Sequence, residues 1–187
     1  MSSCFYRANI EHDSKTIQDL YRTNYYTYYK SRIILRFCAG LFMIIICVAA
    51  NLALWAKGLL LLVGAWLVST PDFPAQMMAD KVLQSRKKFP VMKYEFLDEF
   101  INISGEGSMK IYYKNLQKLI HDEENYYIFT SRDSVCMINK ASLAPPELEN
   151  FQDFISAKTG LKWQQNKFFL AMNLSDLREI FRADSQK

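Results

Sequence analysis

The sequence predicts an α+β chain: a two-helix transmembrane hairpin carrying a small cytoplasmic antiparallel β domain. Three observations lead there. Between Ile33 and Thr70 only two side chains are charged, Arg36 and Lys57, although 22% of the 187 residues carry charge. Beyond Pro90 the hydrophobic period changes to two, as in strands with one buried face. Lysines and arginines flank the apolar window on both sides, which places both chain ends in the cytoplasm. Six glycines, five prolines and 14% aromatics exclude a disordered or collagen-like chain. The four cysteines form no CxxC pair, which excludes a disulfide scaffold or a zinc ribbon.

Residues 1–32 form the first segment. Cys4–Ile10 reads as a short strand, and Asp13 or Ser14 can cap a helix from Lys15 towards the apolar window. Tyr25, Tyr26, Tyr28 and Tyr29 stand just before that window. A stacking platform for bases or sugars is conceivable from such a cluster, but an aromatic belt at the bilayer interface is the reading preferred here. The apolar stretch follows a polar, capped segment and is expected to stay in the mature protein rather than act as a signal peptide.

Residues 33–70 hold the hairpin. As one helix they would span about 57 Å, nearly twice the roughly 30 Å of a bilayer core. Two crossings, 33–50 and 54–70, fit that length. Asn51, Trp55 and Lys57 mark the turn, where an indole and a snorkelling ammonium prefer the headgroup level. A buried hairpin of a soluble protein, and a single crossing over Phe37–Ala56 with Gly58–Thr70 shallow or re-entrant, are the alternatives. Runs such as FMIIICVAA lack any polar face and argue against the first. Pro71 and Pro74 stop the second helix.

Residues 71–89 predict a basic amphipathic helix, with Ala75, Met78, Ala79 and Val82 on one face and Lys81, Arg86, Lys87 and Lys88 off it. Those four cations are the candidate contacts to anionic lipid, at about 1 kcal/mol each near the surface. They are too few for nucleic acid, and no nucleic-acid partner is expected. Residues 90–164 predict strands at Met92–Leu97, Phe100–Ser104, Met109–Tyr113, Leu116–His121, Tyr126–Ser131 and Val135–Lys140. Gly105-Glu106-Gly107 is a hairpin turn. Pro145-Pro146 opens a helix that buries Leu148, Phe151, Phe154 and Ile155 and ends at Gly160. Six strands and a closing helix suggest a bent sheet or partly open barrel. In the tail, 165–187, Asn173 or Ser175 can cap a helix with Leu174, Leu177 and Phe181 on one stripe.

The chain resembles the YcxB-like family of small bacterial membrane proteins. The resemblance is carried by the N-terminal strand and helix, the two adjacent crossings, and the runs Tyr94–Glu99, Ile111–Lys118, Tyr126–Ser131 and Ile138–Lys140, with the helix Phe151–Lys158. Asn139 stands where such proteins often carry proline, and the tail 168–187 is extra to the pattern. The resemblance implies a C-terminal domain similar to a pleckstrin-homology barrel, a bacterial inner-membrane location with several passes, and no known catalytic residues.

No phosphate loop, dinucleotide fingerprint, zinc-protease or nucleophile-elbow motif occurs. His12 and His121 stand apart, Asp122-Glu123-Glu124 lacks calcium-loop spacing, and Asp98-Glu99 reads as an exposed strand junction. The window holds no acidic residue, so no proton relay is suggested. No catalytic, metal or cofactor site is expected. The partners expected are the phospholipid membrane and a protein. The expected function is a membrane-anchored scaffold or adaptor whose β domain binds a protein or lipid. An immunity protein against a membrane-targeted toxin is the alternative.

Overall fold

Strict alternation in Tyr6–Glu11, β1, buries Tyr6, Ala8 and Ile10 and exposes the residues between them. This strand pairs antiparallel with β2, Val91–Phe96, from Tyr6↔Phe96 to Glu11↔Val91. The computed structural model describes residues 4–86, 88–105, 107–145 and 148–166. They divide into two compact units: a β unit, up to Leu20 and again from Lys81 to Asn166, and a helical unit, Tyr21–Asp80. The N-terminal strand thus belongs to the β unit, with no separate segment of its own.

In the β unit, β1 and β2 are followed by β3, Phe100–Ser104, and β4, Ser108–Tyr112, in an antiparallel sheet of order β1-β2-β3-β4. A second sheet has the order β7-β6-β5-β8, from β5, Lys118–His121, β6, Asn125–Phe129, β7, Val135–Asn139, and β8, Trp163–Gln165. All six strands expected beyond Pro90 form, with ends shifted by a residue or two. β8 was not expected, and it pairs parallel to β5, so the second sheet is mixed. Backbone hydrogen bonds between Arg7 and Ala144, at 2.8 and 2.7 Å, stitch the outer edge of β1 to the chain after β7. Among the described residues no ladder joins β4 to β5, so the two sheets do not close into a barrel.

The helix α5, Leu148–Thr159, supplies the core plug. Phe151 and Ile155 are fully buried, and the Phe151 ring packs 5.0 Å from Phe96, 5.2 Å from Tyr6 and 5.1 Å from Tyr126. Trp163 donates its indole N–H to the Gln152 carbonyl at 3.0 Å, which ties β8 to α5. Gly160 ends the helix with φ +70°, a left-handed conformation that a Cβ would strain.

The helix α1, Ser14–Tyr28, starts in the β unit, where Asp13 caps it. The Asp13 carboxylate accepts the Thr16 backbone N–H at 2.8 Å, and the Asp13 N–H donates to the Thr16 hydroxyl at 2.7 Å. The accepted backbone bond holds the Asp13 carboxyl below the usual aspartate range. Its stabilisation is therefore present above that range and lost as pH falls through the lowered value. Asp13→Ala is expected to cost about 1 kcal/mol near neutral pH, and the gap to wild type should close in strong acid. Thermal melts at the two pH values test this.

In the helical unit, α2 runs Lys30–Ala49, α3 Leu54–Ser69, and α4 starts at Phe73 and continues to Ser85. α2 and α3 lie against each other at a pair of glycines. A Cβ on Gly40 would stand 2.8 Å from the Gly64 carbonyl oxygen and 2.8 Å from Val68 Cγ2, and one on Gly64 2.9 Å from the Gly40 oxygen. Only hydrogen fits at either position. The tail stripe Leu174, Leu177 and Phe181, the Glu106 turn position, Pro146 and the Leu148 side chain lie outside the described residues.

Candidate functional site

Two surfaces carry the chemistry, one in each unit. In the helical unit, α2 is long and apolar enough to cross a membrane, with only 17% of its apolar window buried. Leu35, Phe42, Ile45, Val48, Leu59 and Leu62 are each more than half exposed. So continuous an apolar surface marks a face that meets a membrane or another protein. α3 has 16 residues, about 24 Å. It passes the same length test only together with α4, from which it is bent by 69°.

The predicted interface residues separate into two groups. Tyr25 and Tyr26 are buried and pack with Ile33 and Ala75, with Tyr29 partly buried against them. These two phenols are core residues of the helical unit, since a belt tyrosine keeps its ring at the surface. Tyr29 stacks on Tyr25 at 5.3 Å, and Tyr28 is half-buried. Trp55 is 77% exposed at the hairpin turn, and Lys57 beside it is half-buried, with its carbonyl 3.3 Å from the Cys47 sulfur. Asp72 is buried and ion-paired with Arg22 at 2.8 Å, while its own carbonyl accepts the N–H groups of Ala75 and Gln76 in α4. Along α4, Ala75 and Ala79 are buried, but Met78 is exposed. Lys81, Arg86 and Lys88 are exposed, and Lys87 lies outside the described residues.

In the β unit a cleft of about 360 Å³ is lined by Asp98, Glu99, Tyr112, Tyr113, Lys114 and Lys158. The β2–β3 turn supplies the acids, a 3-10 turn at Tyr113–Asn115 the next wall, and the last turn of α5 the lysine. Lys158 is ion-paired to Asp98. Tyr113 donates its hydroxyl to the Leu97 carbonyl at 2.9 Å, and burial pushes its phenol far up. Beside the cleft, Lys110 lies 4.9 Å over the Phe100 ring and Lys114 5.7 Å over Tyr112. Both lysines stand beside the outer edge of β4, which no described strand pairs. Asp98 is engaged by Lys158, and Glu99 lines the cleft beside it.

Residues 96–155 match the family of YcxB-like proteins. No curated protein and no solved structure matches the chain significantly. The YcxB-like stretch runs from the end of β2 into α5, so it takes in both cleft acids, Tyr112, Tyr113 and Lys114, but neither β1 nor the apolar helices.

Several other polar groups of the β unit are held within it. Asp122 accepts the N–H groups of Glu124 and Asn125 at 2.9 and 2.6 Å and the Tyr127 hydroxyl at 2.7 Å, so the acidic turn is occupied by its own chain. Glu124 pairs with Lys15 at 2.9 Å. His12 lies edge-on to Phe89 and His121 edge-on to Trp163, and burial pulls the His12 imidazole down. Among the described residues no group of three or more histidine, cysteine or acidic side chains is placed to hold a metal ion. Cys136 is buried, and burial pushes its thiol up to about 12. Sequence reading missed the Gly40–Gly64 crossing and the cleft. The spacing of small residues on two facing helices was the only available signal for the first.

Proposed function

We propose that the chain is a non-enzymatic, two-pass protein of the bacterial inner membrane, whose β unit stands in the cytoplasm and binds a protein partner at the cleft beside β4. One observation carries the reading: β1 and β2 are hydrogen-bonded in register, and the apolar helices lie between them in sequence. Strands of one sheet share one compartment. The intervening chain therefore crosses a bilayer an even number of times or not at all. The exposed apolar surface of α2 favours crossing, and α3, the next apolar helix, provides the return. Its shortness is offset by the non-helical residues 51–53 at the turn. Lys30, Arg32, Lys81, Arg86 and Lys88 flank the pair, against Lys57 alone at the turn, which favours a cytoplasmic β unit. Two sheets plugged by α5 support a pleckstrin-homology-like fold left open between β4 and β5, and folds of that shape commonly present a face to peptides or headgroups.

Single-cysteine labelling tests the topology. With Cys4 changed to serine and Cys38 and Cys47 to alanine, the buried Cys136 thiol is expected to stay silent. A membrane-impermeant maleimide on intact inner-membrane spheroplasts should label Ala53→Cys at the turn. It should label Ser108→Cys on β4 only after permeabilisation. Labelling of both in sealed cells, or of neither, would overturn the two-pass reading.

A further inference from the structure

Arg36 is a cation inside an apolar helix, and its surroundings fix it without neutralising it. Its Nη2 donates to the Thr70 carbonyl at a long 3.4 Å, and its guanidinium lies 5.5 Å over the Trp66 ring. Its Nε is buried and has no acceptor. Trp66 is itself braced edge-on by Phe73 at 5.2 Å. Arg32, one turn earlier, lies 5.1 Å over Tyr29. Arg32 and Arg36 stand four residues apart on α2, a spacing that puts both on one face of the helix. Neither arginine has a carboxylate within ion-pair distance among the described residues. Among its described residues the helical unit has two acids: Asp72 pairs with Arg22, and Asp80 is exposed.

A buried guanidinium N–H with no acceptor, such as Arg36 Nε, is costly unless an anion meets it. Its planar fork matches the oxygens of a phosphate, and the aromatic faces leave its edge free for that contact. We infer that Arg36 and Arg32, with Trp66 and Tyr29 as aromatic supports, form a site for the phosphate of an anionic phospholipid headgroup at the cytoplasmic end of the α2–α3 pair. The inference rests on the two-pass reading, which sets this end at the headgroup level. It differs from the diffuse attraction expected of Lys81, Arg86 and Lys88, because these guanidinium groups are held in place.

Native mass spectrometry of the full chain, released from micelles holding equimolar phosphatidylglycerol and phosphatidylcholine, reads the preference directly. Wild type is expected to favour the phosphatidylglycerol adduct roughly tenfold, and Arg32→Gln/Arg36→Gln should bring the ratio near one. Lys81→Gln/Arg86→Gln/Lys88→Gln should keep the preference, and Arg36→Lys, which retains charge without the fork, should keep only part of it. Helical circular dichroism equal to wild type shows that each variant is folded. A preference that survives Arg32→Gln/Arg36→Gln, or that disappears in the α4 triple variant, overturns the site. Displacement of the lipid by inorganic phosphate overturns the lipid assignment in favour of a soluble phosphate. Lost preference with unchanged cysteine labelling leaves the topology standing, whereas a failed labelling pattern removes the topology itself.

Discussion

Phe151→Ala is expected to destabilise the β unit by about 3–5 kcal/mol, the range for removing a large aromatic from a packed core. Phe151 is fully buried, and its ring touches residues from both sheets: Tyr6 and Phe96 from the first, Tyr126 and Trp163 from the second. These contacts bridge two sheets that no ladder joins between β4 and β5 among the described residues. A cavity there cannot collapse without moving one sheet against the other. Hydrogen exchange of the β6 amides in the full chain checks it, since their protection reports the opening free energy. Phe151→Leu, which keeps most of the volume, should cost about half as much or less. Equal exchange in wild type and Phe151→Ala would show that α5 is not the plug.

Gly40→Leu should separate α2 from α3, and even Gly40→Ala should weaken their pairing by about 1–3 kcal/mol, the usual cost of overpacking. The nearest obstacle to a new Cβ is the backbone oxygen of Gly64, which no side-chain rotation can clear. Close approach of small residues is how helices associate where no hydrophobic drive separates helix from lipid. Gly58 supplies the control, because a Cβ there meets nothing within 4 Å. Gly58→Ala should be neutral or mildly stabilising, since alanine is the better helix former by about 1 kcal/mol. The measurement is oxidative cross-linking of Cys47 to a cysteine placed at Lys57, whose carbonyl lies 3.3 Å from the Cys47 sulfur. Undiminished cross-linking in Gly40→Leu would remove the glycine pair from the account.

The features legible in the sequence are those fixed by local periodicity. Alternation in Phe100–Ser104 and the Asp13 cap are written within a few neighbouring residues, and both appear in the structure. Features decided by distant partners were not legible. The tyrosines at 25 and 26 have one composition whether they face lipid or protein, and only Ile33 and Ala75 packed against them decide it. The three-residue strand Trp163–Gln165 is too short to show a period and exists because β5 offers it an edge. The cleft is assembled from three separate stretches, and its central acid is neutralised by Lys158, sixty residues away.

The ladder between β1 and β2 also imposes an order in time. Tyr6–Glu11 leaves the ribosome long before Val91–Phe96, by roughly 4–16 s at about 5–20 residues per second. During that interval β1 has no partner, and its apolar face, Tyr6, Ala8 and Ile10, is uncovered. On the two-pass reading, the waiting ends only when α2 and α3 have both entered the bilayer and the chain has returned to the side where it began. Completion of the first sheet then acts as a checkpoint on insertion. A chain stalled after one crossing would strand β1 and β2 in different compartments and leave an unpaired strand for quality-control proteases to find.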